Sequence, residues 1–284
     1  MTKILITGAA GKTGQAIISA LAKRGAYIRA FVYRADYRPR VEQVGAHEVV
    51  VGSLTDEAAL QQAMQGVQAL YHICPNMNPD EVEIGRGVIQ VAQHASVERF
   101  IYHSVLHPQI EAMPHHWHKL RVEEMLFESG LSYTILQPAA YMQNILAGWQ
   151  TITEQGRYAV PYPVSTRLGM VDLLDVAAVA ATVLTETGHT GAIYELAGPD
   201  ILSQIEVATL LSEQLERTVT AEQIPLDTWT VQAQQNGLGD YQINTLWQMF
   251  QHYAEHDFYG NANVLGWLLD RPPTSFLRFL KSVG

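Results

Sequence analysis

Short apolar runs alternate along this chain with longer segments whose apolar residues recur every three or four positions, the two periods of buried strand and amphipathic helix. Lys3 to Thr7 is brief, apolar and closed by glycine, as a fully buried parallel strand should be, and the segment after Gly11 reads as a helix through Arg24, ending at Gly25. The pattern then repeats. Strands are predicted at Tyr27 to Tyr33, Glu48 to Val51, Ala69 to Ile73, Arg99 to His103 and Ser132 to Leu136. Helices are predicted at Asp56 to Gln65, Asp80 to Ala95 and Pro114 to Ser129. Strands alternating with helices across short connections imply an α/β fold with a doubly wound parallel sheet and right-handed crossovers. In such a sheet ligands bind at the carboxyl ends of the strands.

From Ala139 the character changes. Tyr141 to Glu154 is predicted helical, Tyr158 to Gly169 is rich in Pro, Tyr and Arg, Asp172 to Thr185 is a helix, and Ala192 to Ala197 is a further strand. Asp172 and Asp175 sit where a helix start wants acids, so capping explains them better than catalysis. The tail from Ser203 is mostly helical and aromatic. The expected organisation is a Rossmann domain of residues 1–138 and 171–197, with a smaller, mostly helical substrate lobe of residues 139–170 and 198–284.

Chemistry enters at the first turn. Gly8, Gly11 and Gly14 lie at three-residue spacing between strand and helix, a GxxGxxG variant of the GxGxxG dinucleotide fingerprint. Glycine permits positive φ and close approach of the backbone to a pyrophosphate, and the N–H groups at the helix start favour its charge. Gly8, Ala10, Gly11, Lys12, Thr13 and Gly14 are therefore the expected phosphate cradle. At the end of the second strand, where an acid would read the ribose 2′-hydroxyl of NAD, stands Arg34, with Arg38 and Arg40 close behind. A guanidinium there pairs with the 2′-phosphate of NADP, so NADP(H) is the expected cofactor. Asp36, two residues on, is the counter-argument. The other strand ends supply Ser53, Leu54, Cys74, Pro75 and Pro138 as cofactor walls.

Candidate catalytic groups cluster near Ser104 and the run His115-His116-Trp117-His118-Lys119. His115 and Lys119, four apart on a predicted helix, share a face, and Ser104 lies at the mouth of the neighbouring strand. Lys119 would hold the nicotinamide ribose hydroxyls and Ser104 would polarise a carbonyl oxygen. The five histidines from His103 to His118 follow none of the tight metal-ligand spacings, so no metal is expected.

Composition narrows the partners. Across 284 residues, 28 acids against 18 bases give a net charge of −10, which opposes direct binding to nucleic acid or anionic membranes. A single cysteine excludes an intrachain disulfide, and neither a leader nor an apolar run long enough to span a bilayer is evident, so a cytoplasmic protein acting on a small molecule is expected.

The glycine loop, the strand ending Val32-Tyr33-Arg34, the run from His118-Lys119 through Val122-Glu123 to Gly130-Leu131-Ser132-Tyr133-Thr134-Ile135-Leu136, and Met142-Gln143-Asn144 together resemble the NmrA-like group of atypical short-chain dehydrogenases/reductases. The likeness extends to Tyr194 through Pro199 and to Arg271-Pro272-Pro273-Thr274. It implies NADP preference and a functional lysine at Lys119, but not one activity, since the group includes quinone and dye reductases as well as non-catalytic sensors of NADP redox state. One departure stands out: His115 occupies the place of the tyrosine that precedes the lysine by four residues in typical short-chain dehydrogenases. After Pro114 it falls in the first helical turn, where the macrodipole disfavours imidazolium. Tyr141 is the substitute proton donor. Two functions stay open: an NADPH-dependent reductase of a small apolar acceptor (quinone, imine or conjugated carbonyl), or a redox sensor acting through a protein partner, with a homodimer a further possibility.

Overall fold

The computed structural model describes residues 2–283. In chain order its elements begin β1 (Lys3–Ile6), α1 (Lys12–Ala22), β2 (Tyr27–Val32), α2 (Arg38–Glu42), β3 (Glu48–Val51), α3 (Glu57–Met64), β4 (Ala69–His72), α4 (Glu81–His94), β5 (Arg99–His103), α5 (Pro114–Glu128) and β6 (Tyr133–Pro138). They continue with α6 (Trp149–Gln155), β7 (Arg157–Val160), β8 (Arg167–Gly169), α7 (Leu173–Thr185), β9 (Ala192–Leu196), β10 (Ile201–Ser203), α8 (Gln204–Leu215) and β11 (Thr220–Gln223). Four helices close the chain: α9 (Leu226–Gln235), α10 (Asp240–His256), α11 (Asn263–Leu269) and α12 (Phe276–Val283).

Two compact units result. One contains the segments up to Gln109, His115–Gln137 and Leu173–Tyr194; the other contains Ile110–Pro114, Pro138–Asp172 and the segment from Glu195 onward. The first unit is built on the sheet, whose strand order is β3-β2-β1-β4-β5-β6-β9. The pairs from β3 to β6 are all parallel, with Leu5 opposite both Arg29 and Leu70, and Tyr71 opposite Ile101. This is the doubly wound Rossmann-type α/β fold. The order reverses between β1 and β4, and a topological switch point of that kind opens the crevice where such sheets bind ligands.

The apolar residues of β1 are buried on both faces, which is why its sequence does not alternate. On one side Leu5, Leu70, Phe100 and Ile135 from the strands meet Leu60, Val88, Val122 and Leu126 from α3, α4 and α5. On the other side α1 buries Ile17, Ile18 and Leu21, and α7 is apolar almost all round. Arg24, just beyond α1, donates to Thr182, Thr185 and Glu186 at the end of α7.

In the second unit the predicted helix Tyr141 to Glu154 is two pieces, a 3₁₀ segment Met142–Gly148 and then α6. Gly148, lacking a Cβ and poor at propagating a helix, marks the junction. The Pro- and Tyr-rich stretch that follows contains β7 and β8, paired parallel with β11 and antiparallel with β10. Ser203 opens α8 with a capping box, accepting from Glu206 N–H while the Glu206 carboxylate accepts from Ser203 N–H. No helix among the described residues is long and apolar enough to cross a membrane.

Candidate active site

The turn between β1 and α1 is shaped by its glycines. Gly8 adopts φ +59°, and Gly11 N–H closes the turn on Gly8 O at 3.0 Å. A Cβ on Gly14 would lie 2.5 Å from Gly8 O and 2.7 Å from Ala9 Cα, so only glycine lets the helix start this close to the loop. Gly11 occupies the N-cap of α1, where it offers no side-chain acceptor, and the first turn holds no acid. The leading N–H groups of α1 and the positive end of its dipole are thus left for an anion. Lys12 beside them is exposed. This is a cradle that a diphosphate fits.

Arg34 follows β2 directly. Its Nε and Nη2 donate to the two carboxylate oxygens of Asp36 at 3.0 and 2.5 Å, and its guanidinium lies 5.3 Å from the Tyr37 ring centroid. Arg38 donates to Glu42 and to Val49 O. After β3, Ser53 exchanges a hydrogen bond with Thr55, and Ser53 and Leu54 are half-buried. After β4, Cys74 is buried with its thiol pKa raised, chiefly by burial, while Pro75 is exposed. Pro138 ends β6, where the chain passes to the second unit.

Lys119 is seated at the carboxyl end of β5. Its Nζ donates to Glu81 Oε1 at 2.6 Å and to His103 O at 3.4 Å, and stands 5.5 Å from the Tyr102 ring centroid. Tyr102 OH donates to the same Glu81 oxygen at 3.0 Å. Glu81 is 1% exposed, so the lysine answers a carboxylate withdrawn from water. Glu123, one turn beyond Lys119 and 2% exposed, accepts from Ser104 Oγ and from Gln137 Nε2. Burial raises its pKa against the lowering effect of those two donors and of Lys119. Lys119 and Ser104, both singled out in the sequence, are brought to one place, each tied to its own buried carboxylate. Glu81 and Glu123 were not picked out: an acid in the first turn of a helix and an acid on an amphipathic helix carry no sign of burial.

A second buried polar chain runs beneath the cradle. Thr7 Oγ1 lies 2.9 Å from His72 Nδ1 and bridges both polar atoms of the Ile73 backbone, and the His72 ring stacks on Tyr102. Tyr71 OH meets His103 Nδ1 at 2.7 Å. Burial holds both histidines neutral, with pKa values lowered to about 3.

His115 lies in the first turn of α5, as the sequence indicates, packed edge-on against His116. Its Nδ1 is buried with no hydrogen-bond partner among the described residues, and burial, aided by His116 and Lys119, lowers its pKa to about 2. The ring is neutral at physiological pH. Tyr141 belongs to the second unit, where it forms a bridge to Val171. That unit also has an open groove of about 480 Å³ between Pro199, Ala262, Gly266, Trp267 and Pro272-Pro273. Among the described residues no group of three or more His, Cys, Asp or Glu is placed to hold a metal ion.

The chain as a whole has counterparts among known proteins. The chain is 28% identical over 276 residues to quinone oxidoreductase 2 of Escherichia coli, covering 96% of this chain and 95% of that protein. It is 26% identical over 281 residues to the NAD(P)H azoreductase of Xenophilus azovorans, covering 98% and 97%. The crystal structure of an NADPH-dependent quinone oxidoreductase from E. coli in complex with NADPH matches with a TM-score of 0.86 at 28% identity, over 99% of both chains. The NmrA-like family model matches residues 1–275, and the chain belongs to the NmrA-like family.

Proposed function

We propose that this chain is an NADPH-dependent reductase that passes hydride to a small, flat, apolar acceptor such as a quinone, an imine or a conjugated carbonyl. The observation that carries the reading is the uncapped, acid-free start of α1 behind a glycine turn that tolerates no side chain at Gly14, with Arg34 at the end of the adjacent strand. The end-to-end likeness to a quinone oxidoreductase and an azoreductase, the former solved with NADPH, supports it.

The bound nicotinamide would supply the hydride; the protein's residues bind and orient. Gly8, Ala10, Gly11, Lys12, Thr13 and Gly14 hold the pyrophosphate, and Arg34 grips the 2′-phosphate. Ser53, Leu54, Cys74, Pro75 and Pro138 wall the cofactor. Lys119, fixed by Glu81, orients the nicotinamide ribose, and Ser104, fixed by Glu123, presents a hydroxyl at the end of β5. Tyr141 is the proposed proton donor. The proton that completes reduction does not come from an imidazolium, because His115 is neutral. The single buried cysteine fits a cytoplasmic protein.

That neutral histidine also favours a second reading, a sensor that binds NADP(H) and signals to a protein partner or a second copy without turnover. Stopped-flow oxidation of NADPH against a panel of quinones, enones and azo dyes decides between them. Turnover with any acceptor is the expected result. Tight NADPH binding with no oxidation by any acceptor would leave the sensor.

A further inference from the structure

β2 delivers opposite charges to one spot. Arg34 and Asp36 are both exposed, at 59% and 56% of their side-chain surface, and are joined edge to edge through Nε and Nη2. Each raises the charged character of the other: the hydrogen bond from Arg34 lowers the Asp36 pKa, and the one to Asp36 raises that of Arg34. Among the described residues the Nη1 group makes no hydrogen bond, so one edge of the guanidinium remains available while Asp36 holds the other. The Asp36 carboxylate, which also accepts from its own backbone N–H, likewise keeps acceptor capacity beyond the bonds to Arg34. The nearby Arg38 is engaged by Glu42 and Val49 O, Arg40 beyond it is exposed, and the Tyr33 and Tyr37 phenols bear on the Arg34 charge.

The strand end that reads the adenosine ribose therefore offers a donor edge and an acceptor edge at once. A 2′-phosphate is drawn to the free edge of Arg34 and repelled by Asp36, since a phosphate monoester carries about −1.5 to −2 charges at pH 7. A 2′-hydroxyl has no charge to be repelled and can donate to Asp36 without dislodging Arg34. We infer that Asp36 is a specificity-determining residue, and that the Arg34–Asp36 pair is a two-way reader that admits NADH alongside NADPH. The inference rests on the dinucleotide reading given above and extends it to the choice of coenzyme.

Calorimetric titration of NADP⁺ and NAD⁺ into the wild-type chain and two variants tests it. The wild type should take up both, with affinities within about a hundredfold of each other, because the same ion pair serves both ligands. Asp36→Asn should move the ratio toward NADP⁺ by about fivefold, the scale of an exposed charge pair, and Arg34→Gln should move it toward NAD⁺ by about tenfold. Both sites are exposed, so melting temperatures should not change. An unaltered or reversed ratio in Asp36→Asn, or a wild-type preference above that hundredfold bound, overturns the inference and leaves the dinucleotide reading intact. Failure of the wild type to bind either coenzyme overturns both.

Discussion

At the scale of single residues, two glycines in one loop carry different burdens. A methyl group at Gly14 would meet backbone atoms at 2.5 to 2.8 Å, and backbone cannot swing aside. Gly14→Ala should cost about 1–3 kcal/mol of stability through overpacking and weaken NADPH binding at least tenfold, read by thermal melting and calorimetry. Gly11 is exposed at ordinary φ, with its nearest obstacle 3.3 Å away, so Gly11→Ala should leave the melting temperature nearly unchanged while weakening binding by a similar factor. A result in which both variants bind NADPH normally would remove the loop from the site. These glycines were readable in the sequence because their constraint is local: a strand, a turn and a helix within twenty residues fix the backbone they need. Glu81 was not readable, since its role depends on Lys119, 38 positions away. Only the packing of two helices shows that its carboxylate is buried rather than complementing a dipole at the surface.

That packing belongs to the elements. Gly85, one turn beyond Glu81 on α4, faces Val122 on α5, and a Cβ there would lie 2.6 Å from Val122 Cγ2. Val122 is itself three residues beyond Lys119, so the close approach of the helices at Gly85 sets the reach from Glu81 to Lys119. Gly85→Leu should force α4 and α5 apart, lower stability by about 1–3 kcal/mol, and raise KM for NADPH by loosening the lysine. An unchanged KM in a folded, destabilised variant would mean that the ion pair serves stability alone. The sequence does show α4 and α5 as helices but not their separation, because a glycine inside a helical pattern reads only as a weakness in propensity. The same limit explains the segment after Tyr141. Its apolar spacing suits a helix throughout, yet Gly148 divides a 3₁₀ stretch from α6, a choice made by backbone entropy rather than by hydrophobic period.

Across the whole molecule, burial of ionisable groups sets the response to pH. His72, His103 and His115 have pKa values lowered to about 3, about 3 and about 2. An unfolded chain protonates them near the ordinary value of about 6.5. Between those limits the unfolded state binds more protons, so stability rises with pH, is fully present above about 6.5, and is lost as the pH falls. Each histidine contributes a slope approaching about 1.4 kcal/mol per pH unit, and three together about 4, reduced by the opposite slope of Glu123, whose pKa is raised. Urea midpoints at pH 7.5, 6 and 5 should fall steeply across the lower interval. A flat profile would mean that these rings titrate freely in the fold. One more consequence follows from what the sheet encloses. Quinones and enones are soft electrophiles that alkylate thiolates. The only sulfhydryl in the chain, Cys74, is 4% exposed and kept protonated just after β4, so under the proposed function the acceptors would meet no reactive thiolate and the protein would be spared alkylation by them.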